Sequence, residues 1–297
     1  MTQKAVLVTG ASGMLGTEFV RVLSKHYKVY ALWNRCQVTV ESANVTPIKV
    51  DLTDKDAVHA ALEGVQCDEI VHCAALINLG VCEQDFEQAL RVNVLATKNL
   101  IDILSLYSGQ ARFIYISSDA VYPDCRGDKP ESMPTQPSTA YGFTKKWSED
   151  LVNSRWSSKS IVLRTTIVGP APNQFFMWVL DKARRAEEIP LFDDVAFSPI
   201  STRDFVLKTH KMIQNEDIEG IYNLGGDQSI TKSDFGQLIL KAIESKCPIK
   251  LTSVKSMQSG VARSLNMSLD STKVSKVIGK LPSPAETVEQ VLVGSKT

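Results

Sequence analysis

Tyr141 and Lys145 are the residues of this chain whose types and spacing most directly suggest chemistry. Residues four apart on a helix share one face. A free tyrosine hydroxyl titrates near pH ~10, and a neighbouring lysine cation favours the phenolate and lowers that pKa toward neutrality. Ser118 precedes this pair, and a serine hydroxyl can donate to a carbonyl or alkoxide oxygen. We therefore predict Ser118, Tyr141 and Lys145 as catalytic residues for proton transfer to a carbonyl oxygen, with Tyr141 exchanging the proton.

A glycine-rich segment, TGASGMLG, follows the apolar run Ala5–Thr9. Its spacing is G-x-x-G-x-x-G, which allows a tight turn, a close approach of the backbone to a pyrophosphate and an open helix N-terminus facing that anion. Placed after the first strand of an alternating chain, this loop predicts a dinucleotide site. The predicted cofactor contacts in the loop are Gly10, Ser12, Gly13, Met14, Leu15 and Gly16.

The end of the second predicted strand bears on the choice of cofactor. Lys28–Trp33 is followed by Asn34 and Arg35, and no carboxylate occurs before Glu41. A carboxylate at this position would bind a ribose 2′-hydroxyl, whereas an arginine can pair with a 2′-phosphate. The pattern favours NADPH over NADH, while a purely solvated role for Arg35 stays open.

Short apolar runs alternate with amphipathic stretches along the first half of the chain, which is typical of a parallel sheet covered on both faces. The fold class predicted is α/β, a doubly wound, Rossmann-type parallel sheet with a smaller C-terminal substrate-binding lobe. We expect the Rossmann domain over residues 1–168, with a return at about 200–225. Residues 169–199 and 226–297 would form the lobe. Predicted strands are Ala5–Thr9, Lys28–Trp33, Ile48–Val50, Glu69–Ala75, Arg112–Ser117, Ile161–Arg164 and the extended piece Ile221–Leu224; Asp85–Tyr107 is predicted as one long helix.

The composition narrows the classes of function. The chain has 297 residues, 43% hydrophobic and 22% charged, which excludes a disordered or fibrous protein. Lysine plus arginine and aspartate plus glutamate both number 33, a balance that disfavours nucleic acid and anionic membranes as partners. Six scattered cysteines without a C-x-x-C pair argue against a zinc site, and no metal is predicted. No basic and apolar leader opens the sequence and no long apolar run occurs, so we expect a cytoplasmic protein.

The segments TGASGMLG, SSDAVY and YGFTK resemble the extended short-chain dehydrogenases/reductases. More narrowly, the sequence is similar to the dTDP-4-dehydrorhamnose reductase, or RmlD-like, branch. The narrower resemblance rests on Asn93–Thr97 (NVLAT), on Ser118-Asp119 before Val121, and on Arg263–Asp270 (RSLNMSLD).

The resemblance implies roles for particular residues. Tyr141 would be the proton donor, Lys145 would hold the nicotinamide ribose, and Ser118 would position the keto oxygen. Asp51 and Leu52 would lie beside the adenine, and Ala74 and Ala75 on the nicotinamide side. The full predicted cofactor set consists of the glycine loop, these four residues, and Asn34, Arg35, Asn93, Tyr141 and Lys145. The predicted substrate-binding residues are Ser118, Asp119 and Arg263.

One departure from the related sugar dehydratases is informative. Those enzymes carry an Asp-Glu pair after the Ser/Thr, whereas this chain has Asp119 followed by Ala120, so water elimination is disfavoured. The predicted function is NADPH-dependent reduction of a nucleotide-linked 4-keto-deoxysugar. Two alternatives stay open: a nucleotide-sugar epimerase with tightly bound NAD, and a non-catalytic NADP-binding regulatory subunit of another enzyme. A homodimer is expected only because dimers are the commonest oligomers.

Overall fold

The computed structural model describes residues 3–156, 159–172, 174–256 and 264–295. Its central sheet has seven strands, all parallel. Across the sheet they are β11 (Gly220–Asn223), β6 (Ser160–Arg164), β5 (Arg112–Ile116), β4 (Glu69–His72), β1 (Ala5–Thr9), β2 (Lys28–Trp33) and β3 (Val45–Lys49). The predicted fold class, a doubly wound parallel sheet, is confirmed.

Helices cover both faces of this sheet because alternate strand residues point to opposite sides. On one face lie α1 (Met14–Leu23), α8 (Thr202–Ile213) and α10 (Thr272–Ile278); on the other lie α2 (Lys55–Leu62), α5 (Ala96–Tyr107) and α6 (Ala140–Arg155). Val6 and Val8 pack with Phe19 of α1 and Phe205 of α8, whereas Leu7 belongs to the core of the other face. The Phe19 and Phe205 rings meet edge to face, with centroids 6.3 Å apart.

Short elements continue the chain between β4 and α5 and after β6. Before α5 come α3 (Leu79–Gln84), α4 (Phe86–Leu90) and a π-helical turn over Arg91–Leu95. After β6 come β7 (Ile167–Val168), α7 (Phe175–Arg184), β8 (Ile189–Phe192), β9 (Ala196–Phe197), β10 (Ile200–Ser201), β12 (Ile230–Thr231), α9 (Lys232–Ala242), β13 (Ile249–Thr252), β14 (Asn266–Met267) and α11 (Pro284–Gly294). A separate apolar core lies among α7, α9, α11 and β8. Within it the Phe197 and Phe235 rings meet edge to face at 5.2 Å.

Three predicted elements differ by more than one residue at a limit or are interrupted. β4 ends at His72 rather than at residue 75, because the Ala74 N–H donates to Thr9 Oγ1 at 3.1 Å instead of joining the sheet ladder. The third strand begins at Val45, and Pro47 is tolerated there because β3 is at an edge. The predicted long helix over residues 85–107 is divided by the π-helical turn.

Two separated segments are joined beside the carboxyl ends of the strands. Asp124 Oδ1 accepts hydrogen bonds from the backbone N–H groups of Leu265 and Asn266, each at 3.0 Å. The Lys129 N–H donates to the Ser268 carbonyl oxygen at 3.2 Å. These contacts attach residues 264–270 to the loop that follows β5. Within the described ranges, no helix is both long enough and apolar enough to span a membrane.

Candidate active site

The turn between β1 and α1 leaves no room for a side chain at Gly10 or Gly16. Gly10 has a φ of +63°, in the left-handed region that favours glycine. A Cβ atom at Gly16 would lie 2.1 Å from the Gly10 carbonyl oxygen. Gly13 is the N-cap of α1 and brings no side chain to cap the first-turn N–H groups. A glycine turn beside an uncapped helix N-terminus fits the pyrophosphate of a dinucleotide.

Ser118 and Asp119 follow β5 at the carboxyl edge of the sheet. The Ser118 hydroxyl donates to Asp119 Oδ1 at 3.0 Å and accepts the Ala120 N–H at 3.2 Å. Burial raises the pKa of Asp119 to about 6, although the Ser118 hydrogen bond and the charges of Lys129 and Lys232 act in the opposite direction. The site thus holds a carboxyl group that titrates near neutral pH.

Tyr141 and Lys145 lie on the first two turns of α6. The helix begins after Thr139, whose hydroxyl accepts the Gly142 N–H at 3.0 Å. A Cβ atom at Gly142 would lie 2.3 Å from the Ala120 carbonyl oxygen, so glycine lets α6 come close to the chain after β5. This close approach brings Tyr141 to Ser118.

Lys145 is buried, with 3% of its surface exposed. Its Nζ lies 4.2 Å from the centroid of the Tyr115 ring. Burial lowers the pKa of Lys145 to about 7, while the negative charge of Glu149 opposes that change. Near neutral pH this lysine therefore exchanges between its charged and neutral forms.

The expectation that Lys145 lowers the pKa of Tyr141 is wrong for this structure. Burial raises the pKa of Tyr141, and the negative charge of Asp119 adds to the rise, with a partial offset from the Ser118 hydroxyl. The physical reason is that Lys145 is itself desolvated and carries a full charge only below about pH 7. The protonated hydroxyl, which is the form that donates a proton, is the stable form of Tyr141.

A buried ionic cluster lies behind Lys145. Glu149 accepts two hydrogen bonds from the Arg164 guanidinium, Nε to Oε1 at 3.0 Å and Nη2 to Oε2 at 2.7 Å. The Ser117 hydroxyl also donates to Glu149 Oε1 at 2.5 Å, and Arg164 Nη1 donates to the Tyr122 hydroxyl oxygen at 2.9 Å. These contacts fix the α6 turn that carries Lys145 against the ends of β5 and β6.

One cavity of about 520 Å³ joins the glycine loop to the Ser–Tyr–Lys group. This volume is within the range of ordinary ligand pockets. Among the predicted site residues, the cavity is lined by Gly10, Gly13, Met14, Leu15, Gly16, Ala75, Ser118, Asp119, Tyr141 and Lys145. The structure therefore brings the predicted catalytic residues and most of the glycine loop together.

Several predicted cofactor residues lie outside this lining. Ser12 lines a neighbouring cavity of about 820 Å³. Asn34 and Arg35 are exposed after β2, and hydrogen bonds from Thr53 and Asn34 hold the pKa of Asp51 below its usual range. Leu52 is buried.

Two further predicted residues bind other parts of the chain. The Ala74 N–H donates to Thr9 Oγ1, as described above. Asn93 Oδ1 accepts the Leu76 N–H at 2.7 Å, and its Nδ2 donates to the Thr144 hydroxyl oxygen at 2.8 Å. Asn93 thus holds the loop after β4 against α6. Arg263 lies outside the described residues.

The C-terminal part of the chain contributes residues that sequence reasoning missed. Gln174, Phe197, Lys232 and Met267 all line the cavity. Lys232 Nζ lies 3.4 Å from the centroid of the Phe197 ring and 4.6 Å from that of Phe175. A lysine at the start of a helix is usually solvated, so its residue type and position gave no signal of a role in the site.

The seven-stranded parallel sheet with its glycine loop defines a Rossmann-type fold. The chain belongs to the RmlD substrate binding domain family, whose sequence profile matches residues 4–295. The predicted membership of this branch is confirmed. A solved structure of similar fold is dTDP-4-dehydrorhamnose reductase from Bacillus anthracis in complex with NADP (TM-score 0.86, 22% identity, 99% of this chain and 100% of that chain). Another is UDP-glucuronic acid 4-epimerase from Bacillus cereus in complex with UDP-glucuronic acid and NAD (TM-score 0.83, 20% identity, 98% and 99% covered).

Curated relatives carry two kinds of name. The probable low-salt glycan biosynthesis reductase Agl14 of Haloferax volcanii is 27% identical over 96% of this chain and 95% of its own length. The dTDP-4-dehydrorhamnose reductase of Aggregatibacter actinomycetemcomitans is 25% identical, with 94% of each chain covered. Methionine adenosyltransferase 2 subunit beta of Rattus norvegicus is also 25% identical, over 91% of this chain and 81% of its own length.

Proposed function

We propose that this protein is an NADPH-dependent reductase of a nucleotide-linked 4-keto-deoxysugar. The observation that carries the proposal is the cavity that Ser118, Tyr141 and Lys145 share with the glycine loop. The names of the Haloferax and Aggregatibacter relatives, both reductases, support the same activity.

The residues around the cavity suit carbonyl reduction. When bound, the dihydronicotinamide supplies a hydride to the carbonyl carbon. Tyr141 then gives its hydroxyl proton to the oxygen, which has taken up the electron pair of the C=O π bond. Ser118 donates a hydrogen bond to that same oxygen, where negative charge develops. Lys145, in its charged form, holds the nicotinamide ribose.

The cofactor proposed is NADPH, because the exposed Arg35 follows β2 where a carboxylate would favour NADH. The glycine loop, including Ser12, would hold the pyrophosphate, with Asn34, Asp51 and Leu52 beside the adenosine. Ala74 and Ala75 would border the nicotinamide. Asn93 would support this part of the site through its hydrogen bonds to the backbone of Leu76.

The lobe formed by residues 169–199 and 226–297 would bind the nucleotide sugar. Its Phe197, Lys232 and Met267 line the same cavity as Asp119. Arg263 would serve the nucleotide diphosphate, as the family resemblance implies. We also propose a cytoplasmic location and a homodimer, which sedimentation of the purified protein would reveal as a species of twice the chain mass.

A second candidate function is that of a regulatory subunit that binds NADP without turnover. The observation in its favour is the rat relative, whose name is that of a subunit of another enzyme. An epimerase with retained NAD is the third candidate, because the Bacillus cereus neighbour shares the fold.

The decisive experiment follows the absorbance of NADPH, and separately of NADH, with a panel of nucleotide-linked 4-keto-6-deoxysugars. Wild type, Tyr141→Phe and the matched control Tyr107→Phe are compared. The Tyr107 hydroxyl is bonded to His59 on the surface, so this control removes a tyrosine hydroxyl away from the cavity. We expect Tyr141→Phe to lose at least about a hundredfold in rate while the control keeps the wild-type rate.

Other outcomes separate the alternatives. Tight NADPH binding without oxidation by wild type would contradict the reductase and favour the regulatory subunit. Interconversion of two nucleotide sugars with no net change in cofactor would favour the epimerase.

A further inference from the structure

Lys232 is a charged residue of the cavity for which the described protein provides no polar partner. It opens α9, and its backbone N–H donates to the Val195 carbonyl oxygen at 2.8 Å. Its ammonium lies over the faces of Phe175 and Phe197 and forms neither a hydrogen bond nor an ion pair with any residue of the described ranges. Lys232 is partly buried, and desolvation lowers its pKa to about 7, although the negative charge of Asp119 opposes that change. A desolvated ammonium without a hydrogen-bond acceptor is costly, so an occupant of the cavity is expected to supply one.

Asp119 provides a charge of the opposite sign in the same cavity. Each group affects the titration of the other, yet the two do not form an ion pair in the described structure. Asp119 Oδ1 accepts a hydrogen bond from the Ser118 hydroxyl, and the carboxylate has further lone pairs that can accept hydrogen bonds from a ligand. The Lys232 ammonium, a hydrogen-bond donor, and the Asp119 carboxylate, an acceptor, therefore line the same cavity without bonding to each other.

We propose that Lys232 and Asp119 together bind hydroxyl groups of the sugar ring and so determine which sugar the protein accepts. The inference rests on the proposed function for the identity of the ligand as a nucleotide sugar. A hydroxyl oxygen accepts from the Lys232 ammonium, and a hydroxyl hydrogen is donated to the Asp119 carboxylate.

The pair of opposite charges argues against an anionic substituent on the sugar. A carboxylate placed at Lys232 would also approach Asp119, and like charges in a buried site repel strongly. A neutral diol satisfies both groups at once. The phenyl rings of Phe175 and Phe197 flank the ammonium and leave apolar wall for the carbon face of a deoxysugar.

The test measures calorimetric binding of dTDP-rhamnose and of dTDP to the NADP-saturated protein. The variants are Lys232→Met, which keeps the apolar stem, and the control Lys273→Met. Lys273 also lies over a tyrosine ring, 4.2 Å from the centroid of Tyr222, but it is exposed on α10 and away from the cavity. Melting temperature and NADPH affinity report whether each variant is folded.

We expect wild type to prefer dTDP-rhamnose over dTDP, and Lys232→Met to lose at least about tenfold of that preference. The affinities of Lys232→Met for dTDP and NADPH should stay at wild-type values, and Lys273→Met should behave as wild type throughout. Comparison of UDP-glucuronate with UDP-glucose tests the charge argument, since wild type should not favour the carboxylate.

The contrary outcomes are distinct. An undiminished preference in folded Lys232→Met would overturn this inference while leaving the proposed reductase intact. A preference for UDP-glucuronate that depends on Lys232 would show that the site binds an anionic group and not a neutral diol, and would also overturn this inference. If wild type binds dTDP-rhamnose no better than dTDP, this inference is overturned, whereas the proposed reductase is judged by NADPH oxidation with the sugar panel. Lys232-dependent sugar binding in a protein that never oxidises NADPH would refute the reductase alone.

Discussion

Arg164 holds Glu149 by two parallel hydrogen bonds in the interior of the protein, one helical turn beyond Lys145. Both side chains are almost fully buried, at 4% and 1% exposure. The Glu149 charge raises the pKa of Lys145 against the effect of burial. The ion pair thus connects the stability of α6 to the charge state of a proposed catalytic residue.

Glu149→Gln should therefore change both stability and pH dependence. Removing one partner of a buried pair leaves Arg164 uncompensated, a loss of about 3–5 kcal/mol in the free energy of unfolding. It also lowers the pKa of Lys145 further, so the alkaline limb of NADPH oxidation should move to lower pH. Asp150→Asn, on an exposed face of α6, is the control in denaturant unfolding and pH–rate profiles. Equal stability of the two variants would show that the buried pair contributes little.

Gly16→Ala should abolish tight NADPH binding, because its Cβ would lie 2.1 Å from the Gly10 carbonyl oxygen and would force the glycine loop open. We expect the dissociation constant for NADPH to rise at least about tenfold, together with a lower melting temperature. Gly294→Ala is a matched control, since a Cβ there meets no atom within 4 Å. Wild-type affinity in folded Gly16→Ala would rule out the loop as the pyrophosphate site.

Arg35→Gln should weaken NADPH binding about tenfold and leave NADH binding unchanged, because only the former carries a 2′-phosphate for the guanidinium. Titration of both cofactors by fluorescence measures the two constants. Arg185→Gln removes an exposed arginine elsewhere and controls for net charge. A parallel loss for both cofactors would refute the proposed specificity.

Lys145→Met should stabilise the protein free of cofactor, by an amount that depends on pH. Burial lowers the pKa of Lys145 from 10.5 to about 7. Between these values the unfolded chain holds a proton that the native chain has lost, so wild-type stability rises with pH. The cost of burying the lysine is fully present below about pH 7 and disappears toward pH 10.5.

The advantage of Lys145→Met in the free energy of unfolding should thus shrink by about 1.4 kcal/mol per pH unit within this range. Denaturant unfolding at several pH values measures it, and Lys241→Met, on the exposed side of α9, controls for the loss of one positive charge. An advantage that is constant with pH would contradict the lowered pKa.

Local pattern was sufficient to predict the fold. Apolar runs such as Ala5–Thr9 report burial on both faces of a strand, and the glycine loop reports a turn that few other residues can make. The limits of β4 were harder to predict because they depend on one contact, the Ala74 N–H to Thr9, between residues far apart in sequence. The π-helical turn around Asn93 likewise depends on the loop and helix that its side chain joins.

Some residues of the candidate site could likewise be predicted from the sequence, and others could not. Ser118, Tyr141 and Lys145 could be predicted because their order and spacing follow the chemistry of one reaction. Lys232 could not, since only the folded chain places the start of α9 over Phe197 and opposite Asp119. The rise in the pKa of Tyr141 was missed because desolvation depends on the whole cavity and not on the neighbouring lysine alone.

The contacts of Asp124 with Leu265 and Asn266 have a consequence for how the protein is made. The last strand of the central sheet is complete at residue 223, whereas these contacts await a segment some forty residues further along the ribosomal product. The contacts close a long stretch of chain between Asp124 and Leu265, and the entropy lost in closing it is offset only after that later segment has been synthesised. Synthesis from the N-terminus therefore completes the glycine-loop wall of the cavity first and the Lys232 and Met267 wall last.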